Sequence, residues 1–92
     1  MSELAERYFN RSIKLEVELI GICVDTVTRG LINLNWSFID QFWIPDIQVS
    51  LFTRDKEEFF LVEEIYFDPQ VSGTPHHIEE LKIELASYKQ NP

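Results

Sequence analysis

Ile13, Leu15, Val17 and Leu19 alternate with Ser12, Lys14, Glu16 and Glu18 near the start of this chain, and the same pattern recurs twice. Leu34, Trp36 and Phe38 alternate with Asn33, Asn35 and Ser37, and Ile47, Val49 and Leu51 alternate with Asp46, Gln48 and Ser50. Successive side chains of a pleated strand point to opposite faces, so a period of two sets one face against a core and the other against something polar. A chain patterned in this way folds around a half-covered antiparallel sheet.

Strands are expected over residues 12–25, 31–38, 46–53 and 58–67. Residues 25–30 carry turn chemistry, with Gly30 able to take positive φ, and residues 54–57 read as a polar hairpin turn. Residues 40–45 read as a loop or a sheet edge, because Pro45 cannot donate a ladder hydrogen bond. Residues 68–73 read as a loop. A short helix is expected over residues 2–10, with Ser2 as N-cap and Glu3 paired to Arg7 one turn on. A last helix starts at Thr74 and Pro75, where a capping hydroxyl precedes a proline, and carries Ile78, Leu81, Leu85 and Tyr88 on one stripe. The expected fold is α+β: an antiparallel four-stranded meander with a short N-terminal helix and a C-terminal helix packed on the sheet, one domain over residues 1–92.

The alternation lapses in three places. Residues 19–24 are almost wholly apolar, with Gly21 among them. Phe42 and Trp43 stand side by side in the stretch before Pro45. Phe59, Phe60, Leu61 and Val62 form an unbroken apolar run that Glu63 and Glu64 end, which calls for a bulge at Glu63 and Glu64 or for one face turned to a partner.

Charge narrows the partner. Sixteen Asp and Glu face eight Lys and Arg, a net charge of −8 that repels phosphate backbones and anionic lipid and attracts basic proteins. Direct nucleic-acid binding and membrane attachment are not expected, since no apolar run approaches the ~20 residues of a bilayer span. Cys23 is the single cysteine, so no intrachain disulfide forms, and its apolar neighbours suggest a buried, unreactive thiol in a cytoplasmic protein.

Catalytic signatures are sparse. His76, His77, Glu79 and Glu80 are the one cluster that resembles metal ligands, but zinc sites need three or four ligands at paired spacings. Solvated polar residues in the first turn of a helix, with Glu79 and Glu80 favoured by the helix dipole, explain the cluster better. No nucleophile motif or phosphate-binding glycine loop is present, so no enzyme activity, metal or cofactor is expected.

These features describe a small acidic protein-binding module, of an inhibitor, immunity or adaptor and chaperone kind, that engages a basic protein partner. Imitation of nucleic acid by spaced carboxylates is a sharper version of the same idea. Candidate contact residues are Phe42 and Trp43 as aromatic anchors, with Asp40, Asp46, Glu57, Glu58, Glu63 and Glu64 as the acidic surround. A sheet with two free edges and surplus aromatics also suggests a homodimer. The alternative is a small-molecule-binding domain with an aromatic pocket.

Overall fold

The unbroken apolar run Phe59–Val62 lies in the central strand of the sheet, where both faces are covered. In the computed structural model, which describes Glu6, Tyr8 and residues 15–88, the order of elements is β1 (Leu15–Glu18), α1 (Val24–Asn33), β2 (Ser37–Ile44), β3 (Ile47–Arg54), β4 (Glu57–Glu64), β5 (Gln70–Gly73) and α2 (Pro75–Tyr88). The strands lie side by side as β1-β5-β4-β3-β2, and every neighbouring pair is antiparallel.

The expected four-stranded meander is therefore corrected to a five-stranded sheet. The added strand, β5, occupies a segment that reads as a loop, and the first strand shrinks to four residues paired along β5. Gly73 can end β5 because its neighbour leaves no room for a side chain: a Cβ there would lie 2.9 Å from Cδ2 of Phe59. Chain reversal after β1 falls at Gly21, whose φ of 78° is the left-handed conformation that glycine adopts freely.

The larger correction concerns residues 24–33, expected as a turn and the start of a strand, which form helix α1. Val27 and Leu31 point into the core, and Gly30 is helical and serves close packing. A Cβ on Gly30 would lie 3.0 Å from Leu85 and 3.2 Å from Leu81 of α2, so glycine lets the two helices approach. The helix ends in a Schellman arrangement: Asn35 takes a φ of 71°, its amide donates to Ile32 O at 3.0 Å, and the Trp36 amide donates to Leu31 O at 2.9 Å. Trp36 and Leu31 then pack in the same core, the apolar contact that accompanies this cap.

Residues 40–45, expected as a loop or a sheet edge, supply the second half of β2, which is an edge strand, and the proline of the turn that follows. Pro45 does not break the ladder because it lies in the two-residue turn to β3, followed by Asp46 at a φ of 65°, a type II pattern. The next hairpin turns on Asp55 and Lys56, both at positive φ, as a type I′ turn requires. The register irregularity lies between Phe38 and Asp40 of β2, whereas β4 pairs without a break through Glu63 and Glu64.

The sheet separates two cores. Phe52, Phe59, Leu61 and Val71 meet Val27 and Leu31 of α1 and Ile78, Leu81 and Leu85 of α2 on one face. Phe42, Val49, Leu51, Phe60 and Val62 form the core of the other. Tyr8 lies on that second face, its ring 5.2 Å from Phe60 and 5.9 Å from Phe42. Glu6 and Tyr8 are helical; the rest of the helix expected over residues 2–10 lies outside the described residues.

Candidate functional site

Hairpin turns, not loops, decide which candidate residues meet. The two tight turns hold β2, β3 and β4 in register, so that Trp43 pairs with Gln48 and Gln48 pairs with Glu63. Paired residues share a face, so these three form one row across the helix-bearing face, beyond the part that the helices cover. Gln48 Nε2 donates to Gln41 Oε1 on β2, which fixes the amide in the middle of the row.

A cavity of about 320 Å³ opens over this row, lined by Trp43, Asp46, Ile47, Gln48, Glu63 and Ile65. Gln48 and Glu63 also line a second cleft of about 160 Å³, which runs to Phe38 and Phe52 and to Val24 and Thr28 of α1. Trp43 is 68% exposed, an unusual state for a tryptophan on a sheet face. Ile20, Ile65, Tyr66 and Phe67 are exposed at the same end of the sheet. Backbone hydrogen bonds hold their segments there: Ile65 N–H to Asp46 O at 3.2 Å and Leu19 N–H to Pro69 O at 2.8 Å.

The structure divides the sequence-derived candidates. Trp43, Asp46 and Glu63 line one cavity. Phe42 does not join its neighbour: it points to the opposite face and is buried in the second core. The aromatic pair thus splits across the sheet, as adjacent residues of a strand must. Glu64 and Glu58 lie on the face of Phe42, and Glu57 and Glu58 begin β4 at the far end. Asp40 is exposed on edge strand β2, where its Oδ1 accepts from the Gln41 amide at 2.8 Å. Gln48 and the exposed trio Ile65, Tyr66 and Phe67 are absent from the sequence-derived set. Three bulky apolar residues directly after Glu63 and Glu64 were the available signal, masked by their reading as more strand.

The far end of the sheet is polar. Asn35, Ser37, Thr53, Arg54, Asp55 and Glu80 line a cleft of about 550 Å³. Arg54 is engaged on three sides: its Nη1 donates to Leu34 O at 2.8 Å and lies 2.9 Å from Glu80 Oε1, and its guanidinium carbon stands 4.7 Å from the Trp36 ring centre. His77 packs edge-on to Trp36 at 5.0 Å, and its Nδ1 lies 2.9 Å from Thr74 Oγ1. Burial, with the Arg54 charge nearby, holds the His77 pKa below its ordinary value. Among the described residues, no three His, Cys, Asp or Glu side chains are grouped to hold a metal ion.

Cys23 departs from its expected setting. It is exposed at the N-cap of α1, with Sγ 3.1 Å from Thr26 Oγ1. That hydrogen bond lowers the thiol's pKa from its ordinary value. No helix among the described residues is long and apolar enough to cross a membrane.

No family model, no curated protein and no solved structure matches this chain, so what the surface can do follows from its own residues and geometry.

Proposed function

We propose that the chain is a non-enzymatic protein-binding module that receives a basic protein partner on the apolar end of its sheet. The observation that carries this reading is the exposure of Trp43 beside a cavity whose described lining includes two carboxylates, Asp46 and Glu63, and no cation. An exposed tryptophan ringed by apolar and acidic groups is suited to anchor a complex, because burying its ring on binding removes a large apolar area from water. The net charge of −8 favours encounter with a positively charged surface and disfavours wrong partners. An inhibitor or an adaptor would use such a surface in the same way.

The cavity volume also supports a second reading, a small apolar ligand, since about 320 Å³ lies at the lower limit for such pockets. Salt separates the two. A steered protein partner loses association rate steeply as ionic strength rises, and an uncharged ligand does not.

Affinity capture from the native host, with wild-type chain and with Trp43→Ala, tests the proposal. The expected result is a basic protein retained by the wild type and lost from the variant, an affinity decrease of about 30-fold or more. The melting temperature should move by less than about 4 °C, as for other surface substitutions. Equal retention by both proteins, or a Trp43→Ala variant that melts many degrees lower, would sink the anchor role.

A further inference from the structure

We propose that the cavity between Trp43 and Glu63 takes one arginine side chain of the partner, stacked on the indole and paired with the carboxylate. The inference rests on the protein-binding reading above and names the chemistry of its anchor.

Three observations point to a cation. Glu63 is half-buried beside Ile65 and Trp43, yet no described residue forms a hydrogen bond or an ion pair with its carboxylate. A carboxylate held near apolar groups gains more from a cationic partner than one in open water, because screening is weaker there. Trp43 and Glu63 stand on strands separated by β3, so their Cα atoms are about 10 Å apart. That span suits a planar guanidinium, which stacks within about 6 Å of a ring centre and reaches a carboxylate oxygen at about 2.8 Å. Gln48 lies under the gap with Nε2 committed to Gln41, which leaves its carbonyl oxygen as a further acceptor. Arginine fits these elements better than lysine, because its planar fork both stacks and donates in several directions.

The third observation is that the chain builds this arrangement elsewhere from its own residues. Arg54 lies 4.7 Å over the Trp36 ring and 2.9 Å from the Glu80 carboxylate, and also donates to a carbonyl, Leu34 O. Tryptophan, arginine, glutamate and a neutral oxygen acceptor compose that site. Trp43, Glu63 and Gln48 provide all but the arginine.

Titration of the full chain with N-acetyl-arginine amide, followed by the indole N–H and side-chain amide signals in NMR spectra, tests the proposal. The citrulline counterpart, neutral and of nearly the same shape, serves as comparison. Arginine should move the Trp43 and Gln48 signals saturably at millimolar concentration, and citrulline should not. Glu63→Gln should weaken the effect about fivefold, while Glu64→Gln, on the other face, leaves it unchanged. Equal shifts with citrulline, no saturable shift with arginine, or equal loss from Glu63→Gln and Glu64→Gln would each overturn the arginine assignment. Those outcomes leave the capture result with Trp43→Ala untouched, so a failed arginine site is distinguishable from a failed binding surface.

Discussion

Each end of the sheet sets a tryptophan near a glutamate, and the ends differ in what lies between. At the polar end Arg54 fills the space, touching the Trp36 face, the Glu80 carboxylate and the Leu34 carbonyl. Trp36, packed also against Phe59 and His77, is 2% exposed. At the apolar end none of the described residues that line the cavity carries a positive charge, and Trp43 is 68% exposed. The same residue types thus serve cohesion at one end and leave capacity for recognition at the other. The difference arises from topology: α2 brings Glu80 and His77 to Arg54 at the polar end, whereas no described helix residue lines the cavity beside Trp43.

Emptying the polar end should have the largest effect. Arg54→Ala removes a charge-assisted hydrogen bond to a carbonyl and leaves the half-buried Glu80 carboxylate without its cation. The expected loss is about 2 kcal/mol, or roughly 8–16 °C in melting temperature for a domain of this size. Thermal unfolding followed by circular dichroism measures it. A change below about 3 °C would show that the polar end is as uncommitted as the apolar one, and the contrast would collapse.

Sequence alone reached one end of this comparison better than the other. Helix α2 was legible because capping and periodicity agreed: Thr74 and Pro75 mark its start, and Ile78, Leu81 and Leu85 are the residues it buries. Helix α1 was not, because Thr26, Val27, Thr28 and Gly30 are weak helix formers, and packing of Leu81 and Leu85 against Gly30 overrides them. Asn35 hid the helix end by taking the position that glycine usually marks. Strand β5 was masked by Ser72 and Gly73: Ser72 pairs with Phe60 in the sheet, and Gly73 stands where Phe59 leaves no room for a side chain. Trp43 stood out in the sequence as a candidate anchor, and it reaches the surface from an edge strand. The cavity itself needs the row Trp43, Gln48 and Glu63, and that row exists only once two tight turns have set the register of three strands.

A gentler test acts on His77, which packs against Trp36 beside Arg54. Burial and the Arg54 charge lower its pKa in the folded protein, while Glu57 and Glu80 oppose that shift only in part. The unfolded chain therefore takes up this proton at higher pH than the folded one. As pH falls through the ordinary histidine value of about 6.5, His77 contributes a loss of stability, and the contribution of the neutral ring is fully present above it. His77→Gln should flatten the decline in melting temperature between pH 7.5 and 5.5, by less than the Arg54→Ala effect. An unchanged slope would remove His77 from the polar end's energetics.

The smallest expected effect lies at the apolar end and concerns rate instead of stability. Cys23 precedes Val24, whose side chain lines the cleft that shares Gln48 and Glu63 with the Trp43 cavity. Its thiol is exposed and hydrogen-bonded to Thr26, which lowers its pKa. The thiolate is the nucleophile, so alkylation by iodoacetamide should accelerate with a midpoint below that of a cysteine lacking such a hydrogen bond. Thr26→Val, which keeps the branched shape and removes the hydroxyl, should move that midpoint upward. A midpoint unchanged by Thr26→Val would assign the reactivity to exposure alone. Because this is the chain's single cysteine, the same reaction reports on the neighbouring cleft. A partner seated at the apolar end should slow alkylation of the wild type and leave Trp43→Ala reacting at its free rate, whereas equal protection of both proteins would place the partner elsewhere.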